Sequence, residues 1–140
     1  MSRPSIGLFW GGALVCLLIS GLEAQTFGSG ANVEARRLRN PVQPTPQSIS
    51  SGKELYARNC RSCHGPDGKG QGSMRPRDSQ PSDLTDAAWS RGESDGEIFT
   101  VLRDGVGPRF VMRGYKTRMT EQELWHLVNY IRTLGQKSAH

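Results

Sequence analysis

Cys60-Arg61-Ser62-Cys63-His64 is the stretch on which the reading of this 140-residue chain turns. Two thiols three positions apart, with an imidazole directly after the second, admit four chemistries. They are a redox-active dithiol, a zinc site, a local disulfide, and thioether attachment of a porphyrin with the histidine under its iron. A thioredoxin-type pair accompanies a strand-to-helix junction, and no strand pattern precedes Cys60. Zinc needs a fourth ligand at short spacing, whereas the spare histidines, His126 and His140, are far downstream. A disulfide across two residues is strained. The remaining chemistry fits the order of the residues: two sulfurs for two vinyl groups, and a nitrogen held beneath the ring. Cys60 and Cys63 are therefore expected to attach one haem c, with His64 as an axial ligand.

Working outward, the chain repeats one helix-start signal. Ser51-x-x-Glu54, Ser94-x-x-Glu97 and Thr120-x-x-Glu123 each match the capping box, in which a hydroxyl and a carboxylate satisfy first-turn N–H groups. The last has a hydrophobic staple as well, Met119 with Leu124. Its helix sets Leu124, Leu127, Val128, Ile131 and Leu134 on one face and meets Gly135, a residue suited to a left-handed stop. The middle helix offers Ile98, Phe99 and Leu102 and stops near Gly105. The first turns Leu55 and Tyr56 inward and runs into Cys60. A short turn over residues 83–89 is a candidate fourth piece. Glycine-rich and proline-rich loops, residues 65–72 and 75–81, lie between, and nothing alternates as a strand would.

These features predict an all-α domain of three to four helices with long loops. Glycine makes up 17 residues, about 12% against a usual ~7%, and there are 8 prolines. So few apolar faces cannot fill a core in a segment under ~100 residues. A flat apolar macrocycle would supply what is missing.

A second axial ligand is sought among Met74, Met112 and Met119. Met74 follows the motif by ten residues, in the loop expected to cover the histidine side, and Met119 is explained as the staple. Met112 stands in the irregular segment 105–115, after Gly105-Val106-Gly107-Pro108, where a loop can cross the far face of the ring. It is the expected ligand, with core packing as the ordinary alternative for a thioether.

Residues 1–24 read as an export signal: Arg3 at the start, an apolar run, and Ala24 before the cut. The run also approaches bilayer length, so an uncleaved anchor giving membrane association is the alternative. Arg36, Arg37 and Arg39 follow it on the exported side, against the positive-inside tendency, which favours cleavage. Cys16 lies within the leader. Residues 25–48, rich in Gly, Ser, Pro and Gln, are expected to form a flexible linker, leaving 49–137 as the folded domain. Either way the domain is placed outside the cytoplasm, in the periplasm. The formal charge of +5 is dispersed among alternating acids and bases, which gives nucleic-acid binding little support.

Residues 49–135 resemble the class I c-type cytochromes. The likeness is carried by Ser51-Gly52-Lys53-Glu54-Leu55-Tyr56, by Cys60–His64 with Gly65, and by Asp95-Gly96-Glu97-Ile98-Phe99. It continues through Met112-x-x-Tyr115 and Met119-Thr120-x-x-Glu123-Leu124-Trp125 to Tyr130-Ile131-Arg132. Arg113 stands where the family commonly has Pro, and Met119 where it has Leu. Asp83-Leu84-Thr85-Asp86 is similar to the haem domains attached to cbb3-type oxidases. The resemblance implies a monohaem, His/Met-ligated domain that transfers single electrons between redox proteins and is not itself an enzyme. It further implies that Tyr56 and Tyr130 pack where the terminal helices cross. Trp89, Phe99, Phe110 and Trp125 would then be wall residues, and a carbonyl of Pro76 or Pro81 would orient His64.

A periplasmic shuttle is the first functional expectation. A fixed haem subunit of a membrane-associated dehydrogenase or terminal oxidase is the alternative. A third class, an open-iron peroxidase or gas sensor, requires Met112 to be absent or labile. The potential is expected to be high, because thioether ligation and low dielectric both favour ferrous iron. A basic rim of Arg109, Arg113, Lys116 and Arg118, with Lys69 near, would steer an acidic partner; an ordinary solvated surface is its competitor. His126 is expected at the surface.

Overall fold

Proline and threonine fix where the first long helix begins. In the computed structural model, which describes residues 33–107 and 111–136, α2 spans Pro46–Asn59, after a short α1 at Val33–Arg37. Thr45 is the N-cap, its hydroxyl accepting from the Ser48 N–H at 3.2 Å, and Pro46 opens the helix. A proline at the first position has its φ already set and no orphan donor. That start overrides the one expected at Ser51, which lies inside the helix, and Glu54 reaches Arg58 at 3.7 Å instead of capping.

Residues 33–48 therefore depart from the flexible arm expected of them. Ala35 is buried, and Arg36 pairs with Glu97 at 3.4 Å. Asn40 donates to Asn129 at 2.8 Å, and Asn129 in turn donates to the Val42 carbonyl and the Ser48 hydroxyl. The composition of this stretch hides its structure because isolated anchors, the buried Ala35, Val42 against the core and the bonds to Asn129, hold it down in place of a periodic apolar face. Residues 1–32, with the leader and Cys16, lie outside the described residues, as do Pro108, Arg109 and Phe110 and residues 137–140.

Cys60 passes the chain into α3, a single turn at Arg61–His64. The cap over α4, Asp95–Asp104, is complete: Ser94 and Glu97 bond reciprocally, and the helix stops at Gly105. Ile98, Phe99 and Leu102 face inward as expected. In α5, Glu121–Gln136, the Thr120–Glu123 box forms and the expected apolar face is buried throughout. The helix continues through Gly135 and does not end there in a left-handed turn.

Helices α2 and α5 cross closely because Gly52 has no side chain; a Cβ there would clash with the His126 carbonyl. Beside the crossing, Tyr56 and Tyr130 pack with ring centroids 5.3 Å apart. His126, expected at the surface, is half-buried beside it, its Nδ1 2.8 Å from the Ser48 hydroxyl. Phe99 stacks on Trp125 with centroids 4.0 Å apart.

The fold is mostly helical, with one addition to the all-α expectation. β1, Gly105–Val106, pairs antiparallel with β2, Met112–Arg113, with Val106 opposite Met112. Two-residue strands leave no alternation to read. Residues 83–89 form turns and no helix, because the Asp83 carboxylate accepts from the Thr85 N–H at 2.8 Å and hydroxyl at 2.6 Å. That local pairing competes with helical bonding. Among the described residues no helix is long and apolar enough to cross a membrane.

Candidate functional site

The end of α2 and the turn of α3 set the three motif side chains together. The His64 N–H donates to the Cys60 carbonyl at 2.8 Å and the Cys63 N–H to the same oxygen at 3.1 Å. Positions i, i+3 and i+4 of a helical turn share a face, so both sulfurs and the imidazole point the same way. The loop behind is tied to the turn. Gly70 N–H donates to His64, Gly72 N–H to Cys63 and Met74 N–H to Ser62, all near 2.9 Å, and the Tyr56 hydroxyl holds the Gly65 carbonyl at 2.8 Å.

His64 is oriented by a backbone carbonyl, as expected, but by that of Ser82, 3.1 Å from Nδ1. This is one residue beyond Pro81; which carbonyl of a proline-rich loop reaches the ring depends on the path of the loop, which a local pattern does not encode. With Nδ1–H donating there, Nε2 keeps its lone pair. Burial pushes the His64 pKa down, against the opposing effect of the Ser82 bond, so the imidazole is held in the neutral form that ligates metal. Cys60 is 5% exposed, and burial, reinforced by the neighbouring Cys63, pushes its thiol up to about 12. The two cysteines are free. Among the described residues no cluster of three or more His, Cys, Asp or Glu could hold a metal ion.

Met112 stands opposite Val106 in the ladder and is half-buried at the edge of the core. Two cavities of about 320 and 360 Å³ adjoin here, with Cys60, His64, Val106, Val111 and Met112 in the walls of both. The larger has all four expected residues, Cys60, Cys63, His64 and Met112, in its lining. Met74 is 73% exposed and lines neither cavity, and Met119 packs beneath α5. The space thus brings together the residues singled out by sequence and excludes the rival methionines.

Tyr115 ties the two sides together. Its hydroxyl donates to the Asn59 carbonyl at 2.9 Å, beside Cys60, while its N–H donates to Leu102. Arg118 lies over its ring, 4.4 Å from the centroid. The surrounding charges are partly engaged: Lys116 is 3.7 Å from Asp104, which Arg103 also binds at 2.7 Å. Lys69 acts instead on Asp83, whose carboxyl the Thr85 hydroxyl chiefly holds below its ordinary range. Arg109 lies outside the described residues.

The family described as cytochrome c oxidase, cbb3-type, subunit III matches residues 47–131. The chain belongs to this family. A cbb3-type cytochrome c oxidase subunit FixP of Rhizobium meliloti is 31% identical over 90 residues, which are 64% of this chain and 29% of the relative. A cbb3-type subunit CcoP of Cereibacter sphaeroides is 36% identical over 87 residues, 61% and 27% of the two chains. The chain thus spans less than a third of the length of these curated relatives. Cytochrome cL of Methylophaga aminisulfidivorans superposes with a TM-score of 0.52 at 21% identity, over 69% of this chain and 57% of that one. A chain of the Kuenenia stuttgartiensis reducing HAO-like protein complex gives 0.61 at 24% identity, over 69% and 49%. At these identities the structural likeness is one of fold.

The protein is a monohaem c-type cytochrome domain that carries covalent haem c and serves electron transport. The residues present fit that group. A neutral imidazole and two free thiols share one face, and the cavities beside them together fall within the ~300–1,000 Å³ usual for bound cofactors.

Proposed function

We propose that Cys60 and Cys63 hold the haem through thioethers, that His64 Nε2 and Met112 Sδ are its axial ligands, and that the domain is a fixed relay in a membrane-associated oxidase complex. The presence of all four side chains in the wall of one cavity carries the ligand assignment. Haem c supplies a one-electron couple. The chain's own residues set its environment: a thioether from β2, an imidazole held by Ser82, and an apolar wall from α4 and α5. Sulfur ligation and low dielectric both favour the reduced state. With protein groups on both axial sides, the subunit relays electrons and does not itself catalyse oxygen chemistry.

The relatives named as subunits of cbb3-type oxidases favour a fixed relay over a diffusing shuttle. Export by residues 1–24 would put the domain in the periplasm. Arg113, Lys116 and Arg118, with Arg109, would form the edge met by an acidic partner, although Lys116 shares its charge with Asp104.

The test is purification of the full chain from a host that attaches haem, with native membranes fractionated in parallel. The expected results are a mass increased by one haem on the Cys60–Cys63 peptide, a sulfur-to-iron band in the ferric spectrum, and co-purification with membrane oxidase subunits. Bare thiols would overturn the haem assignment. Recovery wholly in the soluble fraction would return the protein to the shuttle class.

A further inference from the structure

Haem carries its two vinyl groups on one edge and two carboxylate side chains on the opposite edge. Thioether bonds at Cys60 and Cys63 fix the vinyl edge and leave the carboxylates to find partners elsewhere on this chain. The two cavities differ in a way that bears on where. The larger has both cysteines in its wall. The smaller has Cys60, His64 and Met112 but not Cys63, and extends instead to Trp89, Ser90, Arg91 and Gly92. A ring anchored at both cysteines and lying between His64 and Met112 would turn its carboxylate edge toward residues 89–92.

Most polar side chains lining the smaller cavity are already engaged. The Tyr56 hydroxyl donates to Gly65, and the Trp89 indole N–H donates to Asp86 at 2.8 Å. Gln80 donates to Gly70 at 2.9 Å and accepts from Arg75, while His64 Nδ1 is held by Ser82. The hydroxyls of Ser82 and Ser90 and the guanidinium of Arg91 remain. Arg91 supplies the charge in this wall, and among the described residues no carboxylate pairs with it. Arg132, on the far side of Trp89, is held by Asp95 at 2.8 Å and by the Glu93 carbonyl. The turn that carries Arg91 is itself fixed. Gly92 N–H donates to Trp89 at 3.1 Å, Gly92 has φ +94°, and the Glu97 carboxylate occupies the space a side chain there would need.

We propose that Arg91 is the counter-ion of a haem carboxylate, with the Ser90 hydroxyl as a neutral second donor. The proposal rests on the haem assignment at Cys60 and Cys63 and adds the subsite at the other end of the ring. A guanidinium presents paired N–H groups that match a carboxylate, and a cation placed there disfavours the additional positive charge of ferric iron. Arg91 thus acts as a positioning residue and as a determinant of the potential.

Arg91 is exposed, so replacing it leaves the core intact. The experiment compares the haem-loaded full chain with R91Q, R91K and, as a control with the same charge change away from the cavities, R58Q. Potentiometric titration should show R91Q moved toward the ferric form by ~3–10-fold at fixed potential, tenfold being about 59 mV for one electron. R91K should keep most of the wild-type value and R58Q nearly all of it. The carboxylate bending mode of the haem in resonance Raman spectra should shift in R91Q alone. An R91Q protein with full haem content and an unchanged potential and vibration overturns the proposal while leaving the haem assignment standing. Absence of haem from the wild-type Cys60–Cys63 peptide overturns the assignment itself.

Discussion

Three methionines compete for one iron in the sequence, and position in the fold separates them. Met112 lines both cavities, Met74 faces solvent and Met119 supports α5. Met112→Ala should abolish the sulfur-to-iron band and lower the potential by on the order of a tenth of a volt, within the ~0.8 V that axial ligation spans. Carbon monoxide should then bind the reduced variant at neutral pH. Met119→Leu should leave the band in place, and if the band follows Met119 instead, the ligand assignment is wrong. At this scale the sequence is legible where chemistry fixes both residue type and spacing, as at Cys60, Cys63 and His64. It is silent where a backbone atom does the work: any residue can offer the carbonyl that Ser82 gives to His64. Tyr115 was visible as an aromatic three positions after Met112, but its bond to Asn59 joins segments 56 residues apart, which no local pattern encodes.

Among the elements, α4 and α5 begin where their capping boxes predict and α2 does not. All three segments contain a hydroxyl followed three residues later by a glutamate, yet only upstream of Ser51 does a Thr-Pro pair offer an earlier start. The Glu97 cap has a consequence that can be measured. Burial opposes ionisation of its carboxyl, but the Ser94 N–H and hydroxyl and the Arg36 guanidinium outweigh it, and the pKa lies below the ordinary carboxylate value. A depressed pKa means that the stabilisation is present above the unfolded-state value of about 4.3 and is lost as pH falls through the lower folded value. Glu97→Gln should therefore cost about 1 kcal/mol at neutral pH, the usual scale for a cap. The gap from wild type in urea denaturation should close below about pH 4. A gap that persists in acid would show that packing, and not charge, is what Glu97 contributes.

Taken as one molecule, the domain extends further toward the N-terminus than its sequence implies. The apolar faces of α2, α4 and α5 were legible because periodicity records burial. The docking of residues 33–48 was not, because Asn40, Ser48 and Asn129 join in a small network of side-chain hydrogen bonds that leaves no periodic trace. A haem-loaded chain beginning at residue 33 retains every one of these contacts. One beginning at residue 46 loses the buried Ala35, the Asn40–Asn129 bond and the Arg36–Glu97 pair together. It should melt several degrees lower, as expected for a loss of ~1–3 kcal/mol. Equal melting temperatures for the chains beginning at residues 33 and 46 would make residues 33–45 dispensable to the fold.

The seclusion of Cys60 also dictates an order of events in biogenesis. Thioether formation requires that a sulfur be reachable by whatever machinery delivers the tetrapyrrole, and in the finished fold the residue that carries this one is only 5% exposed. Ligation on an open polypeptide, with collapse of the helices onto the ring afterwards, is the order this burial favours.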